Sequence, residues 1–342
     1  MMQSLKRLAL GAVSALLIAL VSIIWAAPLD GAAHLYGRER VEPSGAGPRL
    51  TRSGAAAIAA RQRESLATNR SLPRTARFRE SAGRGLIVSA WVNGAGVYSF
   101  AVDTGAGATI ISERVASEAR VSFQRGRATI MSGMSGAGSA AGREASVRSL
   151  AIGDENNFLP SQSSVVVTGS LPPGVDGVLD PTEAFWPLGY SIDMRRGEIS
   201  AFDPRVAPLR TADAPPGGAI VPWIFERGSR RPFVMLDGGQ RALLDTGSEF
   251  GLAVSESAAR SIGIADRFGR EKGGVRDIAG GRIAARRVAP ATVRIGSLVL
   301  RSVPTDLLSG VVDGSPILLG RDALQPFHLS FDPLHRLILI AP

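Results

Sequence analysis

An all-β fold built from one duplicated unit is what the sequence predicts, and three observations carry that expectation. Forty Gly and 21 Pro are spread through 342 residues with few helical patterns, a composition of strands and turns. The same run of hairpin, Asp-Thr-Gly, short strand and short helix occurs twice. Both copies also end alike, in two apolar strands around a turn. Together these give a repeated β unit of about 125 residues.

The chain opens on Lys6-Arg7 and the apolar run from Leu8 to Ala27. Such a length suits a spanning helix of about 20 residues. Only Ser14 and Ser22 are polar in it, so a core helix with a wet face does not fit. The run reads either as a signal peptide, with small residues Gly31, Ala32 and Ala33 at its end, or as an uncleaved signal-anchor. Residues 1–33 are assigned to it. The leading cations place the remainder outside the cytoplasm, exported or periplasmic, and in contact with the membrane if the helix is retained. Residues 34–78 hold many Arg, with Pro43, Pro48 and Pro73, and would not build a core alone. They form a linker or tether, or else an inhibitory pro-segment.

The first copy, residues 79–205, starts with a strand over Leu86-Ile87-Val88 and Ala90-Trp91-Val92, a turn at Asn93-Gly94, and a return strand into Asp103-Thr104-Gly105-Ala106. Thr109-Ile110-Ile111 is a strand, and Ser112 with Glu113 opens a helix. Val175–Leu179, then Leu188–Asp193 and Glu198–Phe202, close this unit. Residues 206–218 are the connection; four Pro lie between Pro204 and Gly218. The second copy, residues 219–342, repeats the plan. Phe233–Leu236, the turn Asp237–Gln240 and Ala242-Leu243-Leu244 lead into Asp245-Thr246-Gly247-Ser248. Leu252-Ala253-Val254 and the helix after Ser255 follow, and Pro316–Gly320, Phe327–Asp332 and Leu337–Ile340 close the unit.

One Asp-Thr-Gly after a strand is a turn signal and little more. Two at matching places point to chemistry. Two carboxylates a few ångströms apart cannot both ionise, so they share a proton. The ionised member takes a proton from water while the other donates one, with neither a covalent intermediate nor a metal. Strand ends fix such groups, the Thr hydroxyl can pin the two loops, and Gly admits a close backbone approach.

With Ile317–Leu324 and Arg294–Leu300 before Val303-Pro304, these motifs resemble the pepsin and retropepsin group of aspartic peptidases, over roughly residues 80–342. The resemblance implies a β-barrel-like lobe for each motif and an active-site cleft between the lobes. It implies catalytic Asp103 and Asp245, with Thr104 and Thr246 interlocked and Gly105, Ala106, Gly247 and Ser248 in support. The implied substrate is an extended protein or peptide. The implied form is a monomer with an intramolecular lobe pair, needing neither metal nor cofactor.

Three departures from that family's pattern stand out. Ala106 matches Ser248, whose hydroxyl could bond a carboxylate, so Asp245 is expected to be the better stabilised anion. Asp180 stands where the second copy has Gly320. No Tyr lies in the expected first flap, Ser132–Gly142. The alternative these raise is a catalytically silent peptide-binding module on the same fold.

Other chemistries fare poorly. With no Cys, thiolate chemistry, disulfides and Cys-bound metals are excluded. The net charge of +9 is almost all Arg, the lysines being Lys6 and Lys272. No stripe of aromatic and basic residues accompanies it, so a nucleic-acid partner is not expected. Gly136–Gly142 has no surrounding βαβ unit to make a phosphate loop. Asp193 and Asp332 are expected turn formers.

Overall fold

The computed structural model describes residues 72–342 except 133–138, 162–163, 227–228, 265–269, 277–281 and 312–313, together with Ser22 and Ile23. Strands dominate, and the helices are single short turns. In the first half, strands Gly85–Val92 and Ala95–Val102 form a hairpin. Its two-residue turn has Asn93 at φ 52° and Gly94 at φ 81°, the left-handed pair that suits twisted strands. The second hairpin joins Ser229–Met235 to Arg241–Leu244, with Gly238 and Gly239 supplying positive φ.

The two halves share an unusual strand order. Ala95–Val102 runs parallel to Gly177–Leu179, which is antiparallel to Thr109–Ser112, which is parallel to Ser164–Thr168. Arg241–Leu244 likewise runs parallel to Ile317–Leu319, antiparallel in turn to Leu252–Ser255, which is parallel to Leu298–Ser309. The helix after each middle strand is capped in the same way. Ser112 accepts from Val115 N at 3.2 Å, and Ser255 from Ala258 N at 3.2 Å. The innermost of these, Thr109–Ser112, Gly177–Leu179, Leu252–Ser255 and Ile317–Leu319, are buried on both faces, which explains their apolar runs.

The closing strands differ from the expectation. They do not seal each unit separately. Glu198–Phe202 and Gly189–Asp193 join His328–Asp332 and Leu337–Ala341 in one antiparallel sheet, bordered by Ala76–Ser81 and Ala219–Pro222. Ser191 lies opposite Ser330, its own counterpart in the repeat, with the two Oγ atoms 2.7 Å apart. The physical reason is pairing: a closing strand left at an edge would expose a row of backbone donors and acceptors. Tyr190 stacks on Phe331 at 4.6 Å and lies 5.8 Å from Phe185, so one core runs behind both halves.

Pro73–Pro342 belong to one compact unit; residues 25–72 are a separate one that, Leu72 aside, lies outside the described residues. The expected helix over Leu8–Ala27 also lies outside them, except at Ser22 and Ile23. Those two are extended, not helical, and pair with Ser132 and Met131, whose strand offers an open edge. Among the described residues no helix is long and apolar enough to cross a membrane.

Candidate active site

Each Asp-Thr-Gly loop leaves the end of a central strand and is tied at once to the strand beside it. Asp103 N donates to Leu179 O at 3.0 Å, and Asp245 N to Leu319 O at 2.9 Å. The two loops then bind each other. Thr104 N donates to Thr246 Oγ1 (3.1 Å) and Thr246 N to Thr104 Oγ1 (3.0 Å). Each hydroxyl passes its own proton across, Thr104 Oγ1 to Leu244 O (2.6 Å) and Thr246 Oγ1 to Val102 O (3.1 Å). All four residues of this exchange are buried, so every bond forms away from competing water.

The glycines stand against the opposite carboxyls. A Cβ on Gly105 would lie 2.9 Å from Asp245 Cγ, and one on Gly247 would crowd Asp103 still more closely. Their N–H groups also serve: Gly105 N donates to Asp103 Oδ1 (2.8 Å) and Gly247 N to Asp245 Oδ1 (2.9 Å). Asp103 and Asp245 are both fully buried. Among the described residues no N–H or hydroxyl reaches Oδ2 of either one. A proton shared between the two supplies the missing donor.

Burial pushes both carboxyls above the usual carboxylate range. For Asp245 the charge of Asp103 adds to the effect of burial. The N–H groups of Gly105 and Gly247 and the charge of Arg321 act in the opposite direction on the pair. The two carboxyls therefore titrate as a pair that shares a proton, and the pairing, not either residue alone, sets that titration. The Ser248 hydroxyl, expected to bond a carboxylate, accepts from Phe250 N at 3.3 Å within its own loop.

Arg321, which lies within the mostly apolar stretch Ile317–Leu324, also supports the site. Its side chain is 3% exposed. Nη1 donates to the carbonyls of Thr246 (2.9 Å) and Gly247 (3.0 Å), and the guanidinium pairs with Glu80 and Glu249. Glu249 in turn accepts from Gly83 N at 2.9 Å, joining the two halves. A charge inside Ile317–Leu324 was the available signal. Asp180 is also buried, caps the helix Pro181–Phe185 through Thr182 N at 2.9 Å, and feels the charge of Asp103.

The strands around the expected flap, Ser122–Ser132 and Ser139–Ser146, form a hairpin; residues 133–138 at its tip lie outside the described ones. Asp193 and Asp332 form turns, accepting from Arg195 N and Arg196 N, and from Leu334 N and His335 N. Among the described residues no three His, Asp or Glu side chains are grouped to hold a metal ion.

A family model described as Aspartyl protease matches residues 88–179 and 237–323, one segment around each Asp-Thr-Gly loop. No curated protein matches the chain.

Proposed function

The chain belongs to the aspartyl protease family, and from that premise we propose that it is an endopeptidase in which water is activated between Asp103 and Asp245. The observation that carries this reading is the pair of fully buried carboxyls on interlocked loops, both pushed above the usual carboxylate range by burial. Asp103, as the anion, takes a proton from the water, whose oxygen attacks the scissile carbonyl carbon. Asp245 gives its proton to the carbonyl oxygen, so a neutral tetrahedral diol forms. The diol then returns a proton to Asp245, the C–N bond breaks, and the nitrogen leaves with the proton held on Asp103. One water is split across one peptide bond, and the dyad regains its starting state.

Thr104 and Thr246 keep the carboxyls from drifting apart, and Gly105 and Gly247 let them meet. Ala106 and Ser248 fill the buried space behind the loops. The substrate is an extended segment that pairs with strand edges beside the cleft. The two motifs lie in one chain, which favours a monomer with two lobes. The Lys6-Arg7 and Leu8–Ala27 pattern favours export, with the protein periplasmic or held at the membrane. Residues 34–78 then tether it or act as a pro-segment.

The silent-module reading draws on Ala106 and Asp180. Against it stands the support given to both carboxyls, which binding alone would not require. Incubation with an unfolded protein separates the two. Cleavage blocked by a hydroxyl-bearing analogue of the tetrahedral diol is expected; binding without any cleavage from pH 3 to 8 would overturn the enzymatic reading.

A further inference from the structure

Behind Asp245, Ser248, Gly320 and Arg321 fit together. Arg321 N donates to Ser248 O at 2.8 Å, and its guanidinium holds the two carbonyls before it in the loop. A Cβ at Gly320 would press on the backbone of Ser248 and Phe250 and come within 3.1 Å of Ser248 Oγ. The first half differs at all three matching positions: Ala106 for Ser248, Asp180 for Gly320, Pro181 for Arg321. Pro181 has neither an N–H nor a guanidinium to give. Ala106 removes the hydroxyl that would crowd a side chain at 180. The backbone there also turns, with ψ 105° at Asp180 against −170° at Gly320.

In the space so made, Asp180 is 2% exposed. Its N–H donates to Thr109 Oγ1 at 3.2 Å, and its Oδ1 accepts from Thr182 N. Glu183 lies on the helix that Asp180 caps, and the loop of Asp103 is tied to the residue just before Asp180, Asp103 N donating to Leu179 O at 3.0 Å; the charges of both act on Asp180. Tyr190, bonded to Thr182 Oγ1 at 2.9 Å, faces it from the following strand. Arg231 faces it from the second half, and Arg230 holds Glu183 at 2.9 Å.

We propose that Asp180 is a positioning residue for Asp103: exchanging a Ser–Gly pair for Ala106–Asp180 sets a third carboxyl behind the dyad, which makes the dyad keep its shared proton to higher pH. Burial first, then the charge of Glu183, raises Asp180 well above the usual range, so it enters the same titration as the dyad. A negative charge on any one of the three disfavours charge on the others. The proposal rests on Asp103 and Asp245 being the dyad, and it can be read without turnover.

The test is a pH titration of the full chain carrying carboxyl-labelled aspartate, followed by NMR. In the wild type, Asp180 is expected to show inflections shared with Asp103 and Asp245; an independent single-step Asp180 curve would overturn the proposal. In Asp180→Asn, which keeps an oxygen to cap the helix, the upper inflection of the dyad should fall by about half a pH unit or more. The basic limb of kcat/KM should fall with it. An unmoved upper inflection in the folded variant refutes the idea. If Asp180→Asn does not fold, the pair Ala106→Ser with Asp180→Gly, which copies the second half, should give the same fall. A shifted titration in a chain that cleaves nothing would uphold Asp180 and sink the peptidase reading instead.

Discussion

Thr104 and Thr246 each accept one N–H and donate to one carbonyl across the junction of the loops. Valine has nearly the same shape and neither capacity. Thr104→Val therefore strands two buried backbone groups, at a cost of about 2–5 kcal/mol, while Thr104→Ser keeps both bonds. Urea unfolding midpoints should fall steeply for the valine variant and slightly for the serine one; equal midpoints would mean the exchange is not a structural tie. At this scale the sequence was informative where residues repeat. The two Asp-Thr-Gly copies were visible because each stands in the same local pattern. The partner of the Ser248 hydroxyl was not, because it depends on how the loop turns toward Phe250 N. Arg321 was hidden for a similar reason: its partners Glu80 and Glu249 lie far away in the chain.

The elements were legible from alternation, turn chemistry and caps, since those signals act within a few residues. The hairpin at Asn93-Gly94 and the helices after Ser112 and Ser255 are local in this sense. The assembly of the closing strands was not legible, because His328–Asp332 and Gly189–Asp193 meet only in three dimensions. Their joining makes the shared sheet a support for both loops. Phe331 is fully buried there, stacked on Tyr190 and edge-on to Trp223 at 5.8 Å. Phe331→Ala should cost about 3–5 kcal/mol. Because the core is continuous, a single unfolding transition is expected. Two separated transitions, one per half, would contradict a common core.

For the whole molecule, the buried carboxyls set stability against pH. Asp103, Asp180 and Asp245 all bind protons more tightly folded than unfolded. Their contribution is fully present below the unfolded carboxylate value, about 3.9. It is lost as pH rises through the raised folded values, because ionisation is then easier in the unfolded chain. Asp154 and Asp203 run the other way, but both are solvent-screened surface groups. Combining Asp103→Asn, Asp180→Asn and Asp245→Asn should raise the melting temperature at pH 8 and leave it nearly unchanged at pH 4. A gain of equal size at both pH values would mean that the three carboxyls do not resist ionisation. Such a trade, stability given up at a working site, is what a functional cluster entails.

The central claim concerns Asp103 and Asp245, and its most direct measurement is kcat/KM for an unfolded protein substrate with each aspartate replaced in turn. Asp103→Asn and Asp245→Asn, both folded, should each lose about a thousandfold or more, since neither half of the proton exchange can work alone. Cleavage at the wild-type rate by both single variants would contradict the account.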